Sequence, residues 1–171
     1  MGAVVSGSCA SNAQATQIPA NPNLPAYAIS PIVYTSSFGN GTLADQIDFV
    51  FYTTLSLVAS TPQTITVNSP GSDILGNTVT FTKIRRLRIR NNANADGKIV
   101  TISPGASNPW LAIMGTSTST VIIQPSTANN SGWVEFVSPN TSGYATSGTS
   151  TSLKLDPGTN TMTVDIEIWG I

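Results

Sequence analysis

The sequence predicts an all-β protein. A jelly-roll-like two-sheet β-sandwich occupies residues 43–171, preceded by an extended, proline-punctuated N-terminal arm over residues 1–42. Three observations carry this reading. Thr, Val and Ile are plentiful while Lys, Glu, Arg and Gln are scarce, a balance that favours strands over helices. About eight short segments alternate apolar and polar residues, the period of a half-buried strand. Turn-forming Gly, Pro, Asn and Asp separate them at short intervals, and no stretch shows a helical period, which marks a sandwich or barrel. Eight strands suit a two-sheet jelly roll. An immunoglobulin-like sandwich is the alternative, because many such sandwiches lack the paired cysteines that are missing here.

The elements follow in order. Residues 1–42 have no sustained hydrophobic period, and Pro19, Pro22, Pro25 and Pro31 interrupt them. Proline fixes φ and lacks an amide donor, so extended or polyproline-like chain is expected, not helix. Leu24, Tyr27, Ile29, Ile32, Val33, Tyr34 and Phe38 would be wasted on a solvated tail. The arm should therefore lie across a surface, its own or a neighbour's; residues 1–16, rich in Ser, Ala, Asn and Gln, alternatively read as a flexible leader. Regular structure is expected from Ile47. Phe49, Phe51, Thr53, Leu55 and Leu57 share one face, with Tyr52, Thr54 and Ser56 opposite. A turn leads to a short strand over 64–67, with Ile65 and Val67 inward. A Pro- and Gly-containing loop follows, from which Ile74 and Leu75 could plug the end of the sandwich. The next strand spans 79–91. Residues 91–97 contain Asp96-Gly97, a hairpin signal, before a strand over 98–102. Further strands are expected over 120–124, 133–137, 152–155 and 162–168. Residues 138–151, rich in Ser, Thr and Gly around Tyr144, form the most mobile-looking loop.

The 79–91 strand, V-T-F-T-K-I-R-R-L-R-I-R-N, holds Lys83, Arg85, Arg86, Arg88 and Arg90, five of the seven basic residues in the chain. Leu87 and Ile89 can face a core while Arg86, Arg88 and Arg90 face away, but Ile84 has the wrong parity. A bulge near Arg85-Arg86 would restore the register, since one extra residue re-aims the side chains that follow. Closely spaced arginines on one face need carboxylates, a partner chain or an anionic ligand. The strip is either a solvated outer face or an interface.

The chain has 171 residues, enough for one domain and a sizeable core; a domain near this size hides roughly 70% of its unfolded surface. Its charged fraction is 9% and its formal net charge −1. That gives no global attraction to nucleic acid or acidic membranes, and the 79–91 strand lacks interleaved aromatics, so neither partner is expected. Cys9 stands alone and cannot form an internal disulfide. No apolar run is long enough to span a bilayer. The N-terminus lacks the basic region of a signal peptide, and its Met-Gly-x-x-x-Ser match through Gly2 and Ser6 is a short pattern common by chance.

Chemistry is sparsely represented. There is no histidine, which removes the commonest general base and metal ligand. Cys9 has no histidine to activate it. Carboxylates that could pair for glycoside hydrolysis are Asp45, Asp48, Asp73, Asp96, Glu135, Asp156, Asp165 and Glu167; the last two alternate onto one outer face, which reads as solvated surface. Asn92, Asn94, Asp96 and Gly97 match half of a calcium-loop pattern, but Ser103 stands in place of its closing glutamate, and a hairpin turn explains the same residues. Sequons at Asn40, Asn129 and Asn140 arise easily in so Asn- and Thr-rich a chain. Trp110, Trp133 and Trp169 read as core or rim, with a sugar platform as the alternative. No enzyme, cofactor or metal is expected.

The segments T-L-S-L-V-A-S-T-P-Q-T-I-T-V (54–67), V-T-F-T-K-I-R-R-L-R-I-R-N-N (79–92), I-V-T-I-S-P-G-A-S-N-P-W (99–110) and L-K-L-D-P-G-T-N-T-M-T-V-D-I-E-I-W-G (153–170) together resemble small all-β virion proteins of tailed bacteriophages. The resemblance covers about two-thirds of the chain, in strand and turn order and not in any catalytic signature. It implies a virion structural protein on the outer surface of the particle, a head-decoration or fibre-base subunit. Such a subunit would form a homo-oligomer, with a trimer favoured, and dock on the major capsid or another virion protein through its arm. In that setting Lys83, Arg85, Arg86, Arg88 and Arg90, with Leu24, Tyr27, Ile32 and Tyr34 of the arm, are the expected interface residues. The arginines would meet carboxylates across a subunit boundary. A glycan- or receptor-binding module, using loop 138–151 with Trp110 or Tyr144, is the alternative function.

Overall fold

Among the described residues the alternation becomes fourteen strands and no helix. The computed structural model describes residues 7–17, 27–73, 75–95, 97–125, 132–138, 142–146 and 148–171, with the backbone alone for 7–17 and 27–34. The strands are β1 (Gly7–Gln17), β2 (Tyr27–Asn40), β3 (Gln46–Ile47), β4 (Phe49–Leu57), β5 (Gln63–Thr66), β6 (Gly71–Ser72) and β7 (Thr78–Val79). They continue with β8 (Lys83–Asn91), β9 (Val100–Pro104), β10 (Val121–Ile123), β11 (Gly132–Val137), β12 (Tyr144–Ala145), β13 (Ser152–Asp156) and β14 (Met162–Gly170).

Eight of these build the sandwich. β4 pairs with β14, β5 with β13, β8 with β11 and β9 with β10, all antiparallel. These four pairs are nested, as in one long two-stranded ribbon folded back at its tip. Winding that ribbon brings β14 beside β8 and β13 beside β9. The sheets then run β11-β8-β14-β4 and β10-β9-β13-β5. Counting the eight strands alone, the orders are 6-3-8-1 and 5-4-7-2, the double Greek key of a jelly roll. The immunoglobulin-like alternative is set aside by this order.

The core lies between the sheets. Leu57, Leu87, Ile89, Val100, Ile102, Leu153, Leu155, Val164 and Ile168 are fully buried there, each at an inward position of its strand. Two expectations need correction. Leu75 is 68% exposed, so it plugs nothing; Val79, Phe81 and Trp110 close the core instead. Ile74 lies outside the described residues. Residues 91–97 are not a hairpin loop, because β8 and β9 belong to opposite sheets. The backbone does turn there, with Lys98 N donating to Ala95 O. The crossing is held by Asn91, which alternation turns inward. Its Nδ2 donates to Lys98 O (2.7 Å) and Ile123 O (3.3 Å), and its Oδ1 accepts from Ala93 N (3.0 Å). One buried amide thus satisfies both sheets at the crossing.

The described part of loop 138–151 is also anchored. β12 pairs with β8, Trp110 Nε1 donates to Ala145 O (2.8 Å), and Thr146 donates to Phe81 O.

The N-terminal arm is extended chain, as expected, but its two halves pair with each other. β1 and β2 form an antiparallel ribbon from Gly7↔Phe38 to Gln17↔Tyr27. Between Ala13↔Ile32 and Ala15↔Ile29, β2 takes one residue more than β1, and Pro31 lies in that irregularity, where a missing donor is tolerated. Neither strand alternates cleanly in sequence, so the pairing gave no periodic signal. The ribbon's root is fixed to the body. β2 meets β3 in a short parallel bridge, Gly39 N donates to Asp45 O (2.7 Å), and Phe38, 2% exposed, packs edge-on against Trp169 with ring centroids 5.8 Å apart.

Candidate functional site

The outer face of the β11-β8-β14-β4 sheet gathers six of the fifteen charged side chains of the chain, and its layout starts from the bulge. Across β8, Trp169 pairs with Arg86 but Gly170 pairs with Ile84, so Arg85 is the extra residue. The bulge lies where the parity break in the sequence required it. Ile84 and Leu87 both reach the core, and Arg86, Arg88 and Arg90 all point outward.

Three cross-strand rows result: Val137–Arg86–Trp169–Val50, Glu135–Arg88–Glu167–Tyr52 and Trp133–Arg90–Asp165–Thr54. Long side chains reach diagonally between such rows. Arg86 takes both carboxylates of the next row, with Nε 2.6 Å from Glu135 Oε1 and Nη1 2.7 Å from Glu167 Oε1. Its guanidinium also lies 4.3 Å from the Trp169 ring centroid, and Trp169 Nε1 donates to Glu167 Oε1. Arg90 directs Nε and Nη2 to Asp165 Oδ2 (3.0 and 2.6 Å), while Thr54 Oγ1 donates to Oδ1 (2.7 Å). Burial raises the Asp165 pKa, but hydrogen bonds from Thr54, Asn92 and Arg90 and the Arg90 charge outweigh it, so the carboxyl sits below its ordinary range. Arg88 forms no ion pair among the described residues; its guanidinium rests over Trp133, 5.2 Å from the ring centroid.

Phe38 and Ile47 cover the row that contains Trp169. The other two rows stay open. There Tyr52, Arg88, Arg90, Asp165 and Glu167 line a shallow cleft of about 180 Å³, and Trp133 stands 48% exposed beside it.

The expected interface residues are therefore distributed unevenly. Arg86 is 5% exposed and neutralised within the chain, and Arg90 also has its carboxylate within the chain. The expectation that these arginines meet carboxylates of another subunit is replaced by this internal network. Arg85 is fully buried; it points away from the strip and donates to Leu43 O (3.2 Å). Burial lowers its pKa and Asp45 opposes the shift. Lys83 is half-buried where β8 pairs with β12. Arg88 and Arg90 are the cations of the strip that solvent reaches. Tyr27, Ile32 and Tyr34 lie in β2, described by backbone alone, and Leu24 lies outside the described residues. The carboxylates that neutralise the strip went unpaired with it in the sequence reading. Their parity was the available signal, but which strands neighbour β8 was not.

Trp110 is fully buried and Tyr144 packs edge-on against it at 6.3 Å, so neither is a surface platform. Burial pushes the Tyr144 hydroxyl pKa up. Among the described residues no cluster of His, Cys, Asp or Glu could hold a metal, and Asp96 lies outside them. No protein-family model matches the chain, and no curated protein matches it.

Proposed function

We propose that this chain is a non-enzymatic virion structural protein. It acts as a capsid decoration or cement-type subunit that oligomerises and docks on a protein shell. One observation carries the reading: the β1–β2 ribbon is uncharged, among the described residues β1 pairs with β2 alone, and the ribbon is rooted on a jelly roll. The first charged side chain in the whole sequence is Asp45, so the ribbon has none. A lone two-stranded ribbon is marginally stable in water. Soluble proteins protect exposed edges with lysine, proline or bulges, and β1 contains neither lysine nor proline. Such an element gains its stability by lying on another chain. The jelly roll supplies the rigid body, a role that fold fills in capsids and lectins alike, so the fold alone does not decide.

Light scattering of the full chain across a hundredfold concentration range tests this directly. A discrete homo-oligomer is expected, together with slow amide exchange in β1. A monomer throughout, with β1 amides exchanging at the unfolded rate, would refute it.

A second reading rests on the open cleft. Tyr52 and Trp133 flank Arg88, Asp165 and Glu167, which provides apolar rings beside charged hydrogen-bonding groups, as sugar recognition requires. A glycan-array signal lost in Trp133→Ala would favour it.

A further inference from the structure

The two open ends of the sandwich are unlike. At one, β10 and β11 are pinched together: a Cβ on Gly132 would lie 1.7 Å from Gln124 O, so only glycine permits the approach. At the other, β4 and β5 gape. Between them opens a slot of about 340 Å³ lined by Phe51, Thr53 and Leu55 of β4, Ile65 of β5, and Ile166 and Ile168 of β14. Gln63 Nε2 donates to Ser56 O (3.0 Å) and closes one end; Ser69 and Pro70 close the other. Among the described residues no charged side chain lines the slot, and Leu55 and Ile65 are only half-buried although they belong to the core face. Above the slot, β4 is an edge strand, paired with β14 on one side only.

Resting on the assembly reading above, we infer that this slot receives β1 of a second copy. Four observations select that occupant. Among the described residues no strand pairs with the second edge of β4, nine residues long with one carbonyl taken by Gln63, or with the second edge of β1, eleven residues long. Backbone pairing between two such edges is the geometry of strand addition. Both surfaces are uncharged, so no charge is desolvated without a partner when they meet. β1 is composed mostly of Gly, Ala, Ser and Cys, residue types small enough to suit a narrow opening between two sheets. The ribbon's own root is held on the outer face of the sheet, where Phe38 packs against Trp169.

Slot and ribbon are different surfaces of one chain. The contact is therefore head-to-tail, and it closes a ring if the rotation allows. A three-membered ring satisfies every slot and every ribbon.

Complementation between two full-length variants tests the inference. Thr53→Lys/Thr64→Lys places charge at the slot mouth. Ser11→Pro/Asn12→Pro removes one donor from each edge of β1, because neighbouring amides point to opposite edges. Each variant alone should be monomeric, and their mixture should form a one-to-one dimer, since a single productive contact remains. If the slot variant does not fold, Thr64→Cys in the otherwise native chain decides. Mild oxidation should link it to Cys9 of another copy, and a Thr64→Cys/Cys9→Ser variant should not form that link. Oligomers unaffected by the slot variant, without the Cys9 link, would overturn the slot while leaving assembly standing. A native chain that is monomeric at every concentration would overturn both.

Discussion

Replacing Arg86 by methionine should unfold the body more easily than any other change on the arginine strip. Arg86 is 5% exposed and holds two carboxylates at 2.6 and 2.7 Å whose side chains are themselves only 14% and 24% exposed. Methionine keeps most of the packing over Trp169 but removes the ion pair of both Glu135 and Glu167, since Arg88 between them is turned to Trp133. Removing one partner of a fully buried pair is worth about 3–5 kcal/mol. The glutamates keep some contact with water, so about 2–3 kcal/mol is expected here. Arg88→Met is the internal control. It loses a half-exposed guanidinium and a contact with Trp133, worth about 0.5–1 kcal/mol. Neutralising the whole group, Arg86→Met/Glu135→Gln/Glu167→Gln, should recover most of the loss, because the penalty lies in the stranded carboxylates. Urea unfolding followed by tryptophan fluorescence at fixed protein concentration measures all three, read as midpoint shifts at constant slope. Equal small losses for Arg86→Met and Arg88→Met, or a triple variant no better than the single, would show that the network does not hold the sheet.

Three further outcomes are expected. Asn91→Ala strands two carbonyls and one amide at the sheet crossing and should lower stability by about 2–3 kcal/mol in the same assay; a loss below about 0.5 kcal/mol would mean water replaces the amide. Gly170→Ala puts a Cβ 2.3 Å from Lys83 O at the Arg85 bulge, where backbone cannot yield easily, and should destabilise by about 1–3 kcal/mol, whereas Gly39→Ala, with nothing nearer than 4.0 Å, should be tolerated; similar melting points for the two would contradict the close approach. The Asp165 pKa is depressed in the folded state, so its stabilisation is present above the unfolded value of about 3.9 and is lost as pH falls through the folded one. Melting temperature between pH 6 and 2 should therefore fall less steeply for Asp165→Asn than for the native chain, and parallel curves would refute this.

Much of the body was legible in the sequence because its strands obey a period of two. Tyr52, Thr54, Asp165 and Glu167 all fall on the face their parity assigns. Even the bulge at Arg85 was readable, since Ile84 and Leu87 cannot both be buried without it. What alternation cannot supply is adjacency. Nothing local tells Arg86 that Glu135 and Glu167 flank it, because those contacts join residues 49 and 81 positions apart. The same limit explains the misread connection at 91–97. An Asp-Gly turn signals a reversal of the backbone, whereas Asn91 sends the chain to the opposite sheet through contacts with Lys98 and Ile123. The ribbon was missed for a different reason: β1 and β2 pair through their backbones, and that pairing needs no hydrophobic pattern.

The internal network also decides what kind of force can hold copies together. Arginine pairs across a subunit boundary would weaken as salt rises, because exposed charges are screened over about 8 Å at physiological ionic strength. Here Arg86 and Arg90 have their carboxylates within the chain, Arg85 is buried, and the ribbon and slot carry no charge. Strand addition through neutral backbone and small side chains has no long-range electrostatic part. The dissociation constant of the proposed oligomer should therefore change less than about twofold between roughly 0.05 and 0.5 M salt, measured by analytical ultracentrifugation. The association rate should likewise be insensitive to salt, as steering needs complementary charge. A dissociation constant that rises about tenfold or more over that range would move the contact from the ribbon to the exposed guanidinium groups of Arg88 and Arg90.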